Sequence, residues 1–460
     1  MSARDLSQWN DDATSAGTIA KRQGQLRHWN AKMQEALNTY FKFLDLFFGV
    51  VWIWLPIFLA VIFFKSWMYY IQRWHWRQMD WVLLEVKPPK EVESSPKNME
   101  QIFAGLWGAF GTVSYKYEKY IKGVMQDYFS FELVGYNGEA HFFLRTQKKL
   151  RNLVEAQIYS QYPQAEIREV PDYVWNVPAD IPNKKWNLWG CRLAMTAPGP
   201  FPSAYPLRTY VDLMDVAKTD QPFFDPIAGL MEVFSKLRQG EQIWLQILFR
   251  PAPDGWQKKA RSVADKLLGK KETAPPETIF AMDRRTWWES FYDVLYALVT
   301  GQPAPLRVKD KKDEPHSLAL FLSPGEKDII AAIELKAGKK GFDAKINFVY
   351  ISRSDIFTMA NVSAPMGVIM QTANLNMNSF RPDSKTITKS HYFLAKARKA
   401  YKQRVLMRMM RSRSFWEKGY ILNIEELATL FHFPTIGVKS PMTPYIEIKK
   451  GGAPVDLPME

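Results

Sequence analysis

Residues 46–64 read LFFGVVWIWLPIFLAVIFF, 19 positions without a charged or strongly polar side chain. Rising about 1.5 Å per residue, such a helix is roughly 28 Å long, close to the ~30 Å hydrocarbon core of a bilayer. Asp45 and Lys65 bound the run, and Trp67, Tyr69, Tyr70, Trp74 and Trp76 crowd its far end. Those rings suit the headgroup zone, which accommodates a flat apolar body and a polar tip together. Pro56 removes one backbone hydrogen bond inside the run, so a kink is expected rather than a break. The core helix of a soluble protein normally keeps a polar face, and this run has none. A signal peptide has a shorter apolar stretch and a small-residue cleavage site, whereas bulky aromatics follow here. One permanent membrane-spanning helix is therefore expected, with its aromatic and basic flank reaching residue 77.

No later run matches it in length, so the bulk of the chain is expected on one side of the membrane. Lys65, Arg73 and Arg77 follow the span, against Lys32 and Lys42 before it. That bias places the bulk in the cytoplasm, as part of a single-pass protein. At 47% hydrophobic and 14% aromatic residues, the chain has enough apolar surface for packed cores. A formal charge of +14 suits an acidic partner, anionic headgroups or a nucleic acid, without choosing between them. The single cysteine, Cys191, excludes a disulfide framework and any multi-cysteine metal site.

Residues 1–18 are polar and expected to be disordered. Over 19–45, Leu26, Trp29, Met33, Leu37, Phe41 and Leu44 recur at helical spacing among Lys21, Arg22, Arg27 and Lys32. This basic amphipathic helix suits the membrane interface or a partner subunit. Residues 80–171 then read as strand, helix, strand, strand, helix, strand. The first strand ends at Pro88-Pro89, and Ser95-Pro96 opens the first helix. Asn137-Gly138 joins the middle strands, since this dipeptide tolerates the positive φ of a tight hairpin. Thr146 is the expected cap of the second helix. The order is that of a ferredoxin-like βαββαβ domain, a fold that hosts many functions. Proline-rich 171–205 forms a seam.

A second α+β sandwich domain is expected over 186–384, possessing strands near 188–195, 242–250 and 343–352. Ser323 and Glu326 have the spacing of a capping box. Residues 270–322 look like an insertion. The fold class is thus α+β: a single N-terminal transmembrane helix, a ferredoxin-like domain and a second sandwich.

Residues 385–418 contain KARKAYKQRVLMRMMRSRSFWEK, and ten Lys or Arg face one acid, Glu417, over 389–418. Tyr392, Phe393, Leu394, Tyr401, Val405 and Leu406 are interleaved with the charges. Lys396, Arg398, Lys399, Lys402, Arg404, Arg408, Arg411 and Arg413 are the candidate phosphate contacts, to nucleic acid or to lipid headgroups. A solvated face serving solubility is the competing interpretation. Over 419–460, Asn423 and Glu426 can cap a helix carrying Leu427, Leu430 and Phe431. These residues are expected to dock, on the chain's own body or on a partner.

Chemistry leaves little trace. No G-x-x-x-x-G-K-[ST] loop occurs, and none of the six histidines has a histidine four residues away. His141 is expected to be a satisfied surface or core residue, and Cys191 a small buried apolar one. Glu425-Glu426 at a helix start favour the macrodipole. No catalytic residue, cofactor or metal site is assigned, and the chain is expected not to be an enzyme.

The stretch ILNIEELATLFHFP at 421–434, followed by IEIKKGGAPVDLPME, carries a family resemblance. Trp81 to Gly108 (WVLLEVKPPKEVESSPKNMEQIFAGLWG), FSFELVGYNGEAHFFLRT, LVEAQIYSQYPQAEI and GEQIWLQILFRP extend it. Together they resemble the membrane-associated N-terminal region of bacterial type IV secretion coupling-type ATPases of the HerA/FtsK superfamily. Ile424 stands where the resemblance leads one to expect threonine. In those proteins the stretch precedes an ATPase domain, whereas this sequence stops at Glu460. The resemblance therefore implies a membrane subunit of a type IV secretion or conjugation-like DNA-transfer apparatus. It would dock or organise a separate HerA/FtsK-type motor ATPase, possessing contacts to DNA and a ring of like subunits. The alternative is a structural cell-envelope scaffold that meets anionic lipid and no nucleic acid.

Overall fold

The computed structural model describes residues 3–88, 95–111, 116–216, 225–269, 322–415 and 418–434. All but the last residue of the 270–322 insertion, and the tail beyond 434, lie outside them. The helices are α1 (Ala3–Arg77), α2 (Pro96–Leu106), α3 (Lys116–Tyr120), α4 (Arg151–Gln161), α5 (Tyr210–Val216) and α6 (Ala228–Ser235). They continue with α7 (Gly255–Leu267), α8 (Pro324–Ala337), α9 (Ala360–Met370), α10 (Ala395–Ser412) and α11 (Ile424–Leu430). The strands are β1 (Trp81–Lys87), β2 (Phe129–Tyr136), β3 (Glu139–Gln147), β4 (Glu166–Glu169) and β5 (Trp186–Met195). Then come β6 (Glu241–Pro251), β7 (Gly341–Arg353), β8 (Phe380–Pro382) and β9 (Tyr420–Asn423).

Two units are distinguished. The first is Met1–Gln78 with Val113–Met125. Its helix α1 runs unbroken through the expected tail, the amphipathic stretch and Pro56. Residues 1–18 were expected to be disordered and are instead helical from Ala3. No proline interrupts the chain before Pro56, and an established helix adds residues at little cost. Within α1, Trp54–Arg77 is long and apolar enough to cross a membrane, with a mean hydropathy of 1.5. Segment 116–123 packs back on this part of α1. A Cβ at Gly123, whose φ is +66°, would lie 2.6 Å from the Ile71 carbonyl, so only glycine permits the approach.

The second unit holds a nine-stranded sheet in the order β4-β1-β3-β2-β6-β7-β5-β8, with β9 pairing the end of β7. Every pairing is antiparallel. At its centre β2 pairs β6, from Phe129↔Phe249 to Tyr136↔Gln242. Outward from that pair the order is β2, β3, β1, β4 on one side and β6, β7, β5, β8 on the other. The same sequence of pairings is thus repeated. The domains expected at 80–171 and 186–384 share one sheet.

Local chemistry accounts for the elements. Asn137 (φ 54°) and Gly138 (φ 82°) turn β2 into β3, as their left-handed tolerance allows. Ser95 caps α2 by accepting from Lys97 N, with Pro96 at its first turn. Thr146 does not cap α4. It pairs with Val82 inside β3, which runs on to Gln147, and α4 follows a 3-10 turn at Lys148–Leu150.

The sheet is buried on both faces, so its central strands alternate between two cores rather than between core and water. Phe131, Leu133, Phe142, Leu144, Ile247, Phe249, Ile346 and Phe348 face the larger core. Helices α2, α4, α6, α9 and α11 supply Phe103, Ile158, Phe234, Ile369 and Leu427 to it. Phe103 meets Phe131, Phe249 and Phe342 with ring centroids 5.5, 5.2 and 6.4 Å apart. Each such fully buried side chain contributes roughly 1.5–3 kcal/mol. On the other face Val134, Phe143, Trp244, Val349 and Ile351 pack with Leu406, Met407 and Met410 of α10. A third cluster joins Trp256, Ala260 and Ala264 of α7 to Ile330 and Ile333 of α8.

Candidate functional site

Alternation sends polar side chains to the face covered by α10. Glu132, Arg145, Gln246, Lys345 and Asn347 are all buried there. Arg413 is the pivot. Its guanidinium donates to Glu132 Oε1 at 2.6 Å and Oε2 at 2.8 Å, and to Asp172 Oδ2 at 2.7 Å and Oδ1 at 3.0 Å. Burial alone would lower the Arg413 pKa, but the charges of Glu132 and Asp172 carry it upward. Tyr173 donates to Glu132 Oε2 at 2.5 Å, and desolvation pushes its phenol well above the ordinary range. Gln246 donates to the Tyr173 hydroxyl at 2.9 Å and to Met410 O at 3.1 Å. Farther along α10, Gln403 donates to Leu188 O at 2.6 Å. The helix is bolted to the sheet by buried polar bonds along its inner side.

The eight basic residues expected to share one surface separate into two roles. Lys396, Arg398, Lys399, Arg404 and Arg408 are exposed. Lys402 is half-buried and donates to Ser384 O and Lys389 O, both at 3.3 Å. Arg411 donates to Val177 O and lies over the Trp175 ring at 5.0 Å. Arg413 is not a phosphate contact: it is fully buried, and two carboxylates occupy its donors.

The docking helix is also placed. Asn423 accepts from Glu426 N at 2.8 Å and Glu426 Oε2 accepts from Asn423 N at 2.9 Å, a complete capping box. Leu427 and Phe431 lie in the larger core and Leu430 packs against it. Among the two surfaces expected for docking, these residues therefore occupy the chain's own body, and their apolar face is not open to a partner. Glu426 Oε1 meets Lys336 Nζ at 2.9 Å, both side chains being buried. Glu425 pairs with Lys339, which also reaches Glu100 Oε1 at 3.3 Å. Tyr210 donates to Glu100 Oε2 at 2.5 Å.

The remaining singled-out residues are structural in place. His141 Nδ1 lies 2.7 Å from Glu85 Oε1, and its ring stacks on Tyr136 at 4.2 Å. Cys191 is buried, and desolvation, with the Asp383 charge, pushes its thiol up to about 12. Among the described residues, no group of three His, Cys, Asp or Glu side chains could hold a metal ion.

Sequence reasoning missed the residues that anchor α10. Glu132 and Arg413 are 281 positions apart, and Gln403 and Leu188 are 215 apart. Only the polar residues on strands otherwise apolar on both faces, such as Glu132 in FSFELVGY, hinted at them.

No curated protein matches the chain. The family described as a domain of unknown function, DUF8128, matches residues 75–443, which include the whole nine-stranded sheet and α10. The chain belongs to that family.

Proposed function

We propose that the protein is a non-enzymatic, membrane-anchored subunit of a type IV secretion or conjugation-like DNA-transfer apparatus, on which a HerA/FtsK-type motor ATPase docks. The anchoring rests on what surrounds the end of the apolar run. Trp67 Nε1 donates to Tyr120 O at 2.9 Å, and the Phe64 and Tyr120 rings are 5.8 Å apart. Tyr117 and Ile121 are exposed beside them, with Lys122 over the Tyr117 ring and Lys119 over the Tyr120 ring. Two segments of chain thus gather aromatic rings and lysines at one level of the helix, the composition favoured in the headgroup zone.

The assignment to a transfer apparatus draws on the resemblance. Its five stretches correspond to β1 with α2, β2 with β3, α4 with β4, β6, and β9 with α11. These segments, far apart in sequence, pack in one body. The order β4-β1-β3-β2 supports a ferredoxin-like first half, and β6-β7-β5-β8 a second unit of the same kind. In this reading the bulk of the chain is cytoplasmic, beside the motor, and like subunits follow the motor's ring.

The test uses the full chain, tagged and expressed in its own host. It should stay in the membrane pellet after a carbonate wash. After solubilisation and capture, a HerA/FtsK-type ATPase should co-elute in stoichiometric amount. Release by carbonate would overturn the anchoring, and capture without such an ATPase, even after cross-linking, would overturn the motor role.

A further inference from the structure

We infer that the tip Tyr392, Phe393 and Leu394, with the outward face of α10, forms a docking surface for an anionic lipid bilayer. The tip is 91, 82 and 60% exposed at these three positions. Tyr392 and Leu394 hold φ of 70° and 53°, a region bulky side chains rarely adopt. Such backbone persists only where its surroundings impose it. Here Lys402 ties Ser384 and Lys389 below the tip, and Arg398 N donates to Leu394 O at 3.0 Å above it. Three large apolar side chains are thereby held out in solvent.

The helix continues the pattern. Gln403, Leu406, Met407 and Met410 are buried. Leu394, Arg398, Tyr401, Val405 and Arg408 follow at alternating spacings of four and three, which puts them on the opposite face. Tyr401 is 65% exposed and Val405 38%. An apolar line therefore runs along the outside of α10 between arginines, with Arg404 on one flank and Arg398 on the other. No Asp or Glu occurs between Asp383 and Glu417, so no acid of the helix itself neutralises them.

This pairing selects the partner. Phosphates of any kind would meet the arginines, and Tyr392, Phe393 and Tyr401 offer rings to a base, but Leu394 and Val405 in the same line have no π-face on which one could stack. A bilayer interface takes both parts, aliphatic and aromatic groups at the acyl boundary and arginines at the headgroups. The inference deepens the membrane reading above, and a chain already anchored needs only weak affinity at this second site.

The full chain carrying Phe393→Cys, labelled with an environment-sensitive fluorophore, is reconstituted into nanodiscs of phosphatidylcholine alone or with phosphatidylglycerol. Emission should shift to the blue only with phosphatidylglycerol and be quenched by spin-labelled acyl chains. Adding Arg404→Glu and Arg408→Glu should abolish the shift and weaken binding about tenfold or more, with an unchanged thermal unfolding midpoint. Equal emission in both discs overturns the inference. So does a shift produced by an oligonucleotide instead of lipid, or one in detergent that depends on protein concentration, which would mark a second copy. If the chain enters neither disc, the anchoring reading fails by itself. The same probe is then read with phosphatidylglycerol vesicles added to the free protein.

Discussion

Arg413 follows Glu132 by 281 residues and grips both of its carboxylate oxygens, Nε on Oε1 at 2.6 Å and Nη2 on Oε2 at 2.8 Å. Both side chains are fully buried. Removing one charge from such a pair strands the other, which costs about 3–5 kcal/mol. Arg413→Met should lower stability by that amount in urea unfolding. Arg413→Met with Glu132→Leu should recover part of it, because the stranded carboxylate is gone. A single variant as stable as the parent would show that the pair does not hold α10.

Lys336 and Glu426 make the second buried pair, between α8 and α11. Burial pulls the Lys336 ammonium below its ordinary 10.5, against the opposing pull of Glu426. Between that lowered native value and 10.5, the unfolded chain keeps a proton the native chain has released. Stability therefore rises with pH across this window. Lys336→Met combined with Glu426→Gln should flatten the rise, read by urea unfolding over a series of alkaline buffers. An unaltered slope in the double variant would remove Lys336 as its source.

Gly190 lies where β5, β7 and α10 converge. A Cβ there would sit 2.4 Å from Phe348 O and 2.7 Å from Leu406 Cδ2. Both contacts are too short, so β5 and β7 must part locally and α10 must shift outward. Gly190→Ala should cost about 1–3 kcal/mol. It should also raise hydrogen exchange in α10 before that in β2 and β6. Exchange rising equally everywhere would count against a local displacement.

The two capping boxes differ in setting, Ser323 being exposed and Asn423 buried. Ser323→Ala should cost about 1 kcal/mol, the usual value of a lost cap. Asn423→Ala also leaves Glu426 N buried without an acceptor, which raises the loss to about 2–3 kcal/mol. Thermal unfolding of the two variants side by side reads the difference.

What could be read in the sequence was local. The strand Trp81–Lys87, the Asn137-Gly138 turn, the Ser95 cap and both capping boxes all depend on residues within a few positions of one another. Thr146 failed as a cap because its strand pairs two residues farther than the apolar pattern indicates. The β2–β6 junction that fuses two halves into one sheet leaves no periodic mark, since both strands simply read as apolar. For the basic helix, composition located the charge but could not separate Arg413, spent on Glu132, from Arg404 and Arg408, which face water. That division follows from which side of α10 meets the sheet.

The sheet ends on one side in four residues, Glu166–Glu169, and on the other in three, closed by Pro382. Few backbone amides and carbonyls remain there for a foreign strand to join. For molecules gathered on a surface, neighbours collide constantly, and open margins would zip them into fibrils. Margins this brief disfavour such strand-to-strand zipping between crowded copies.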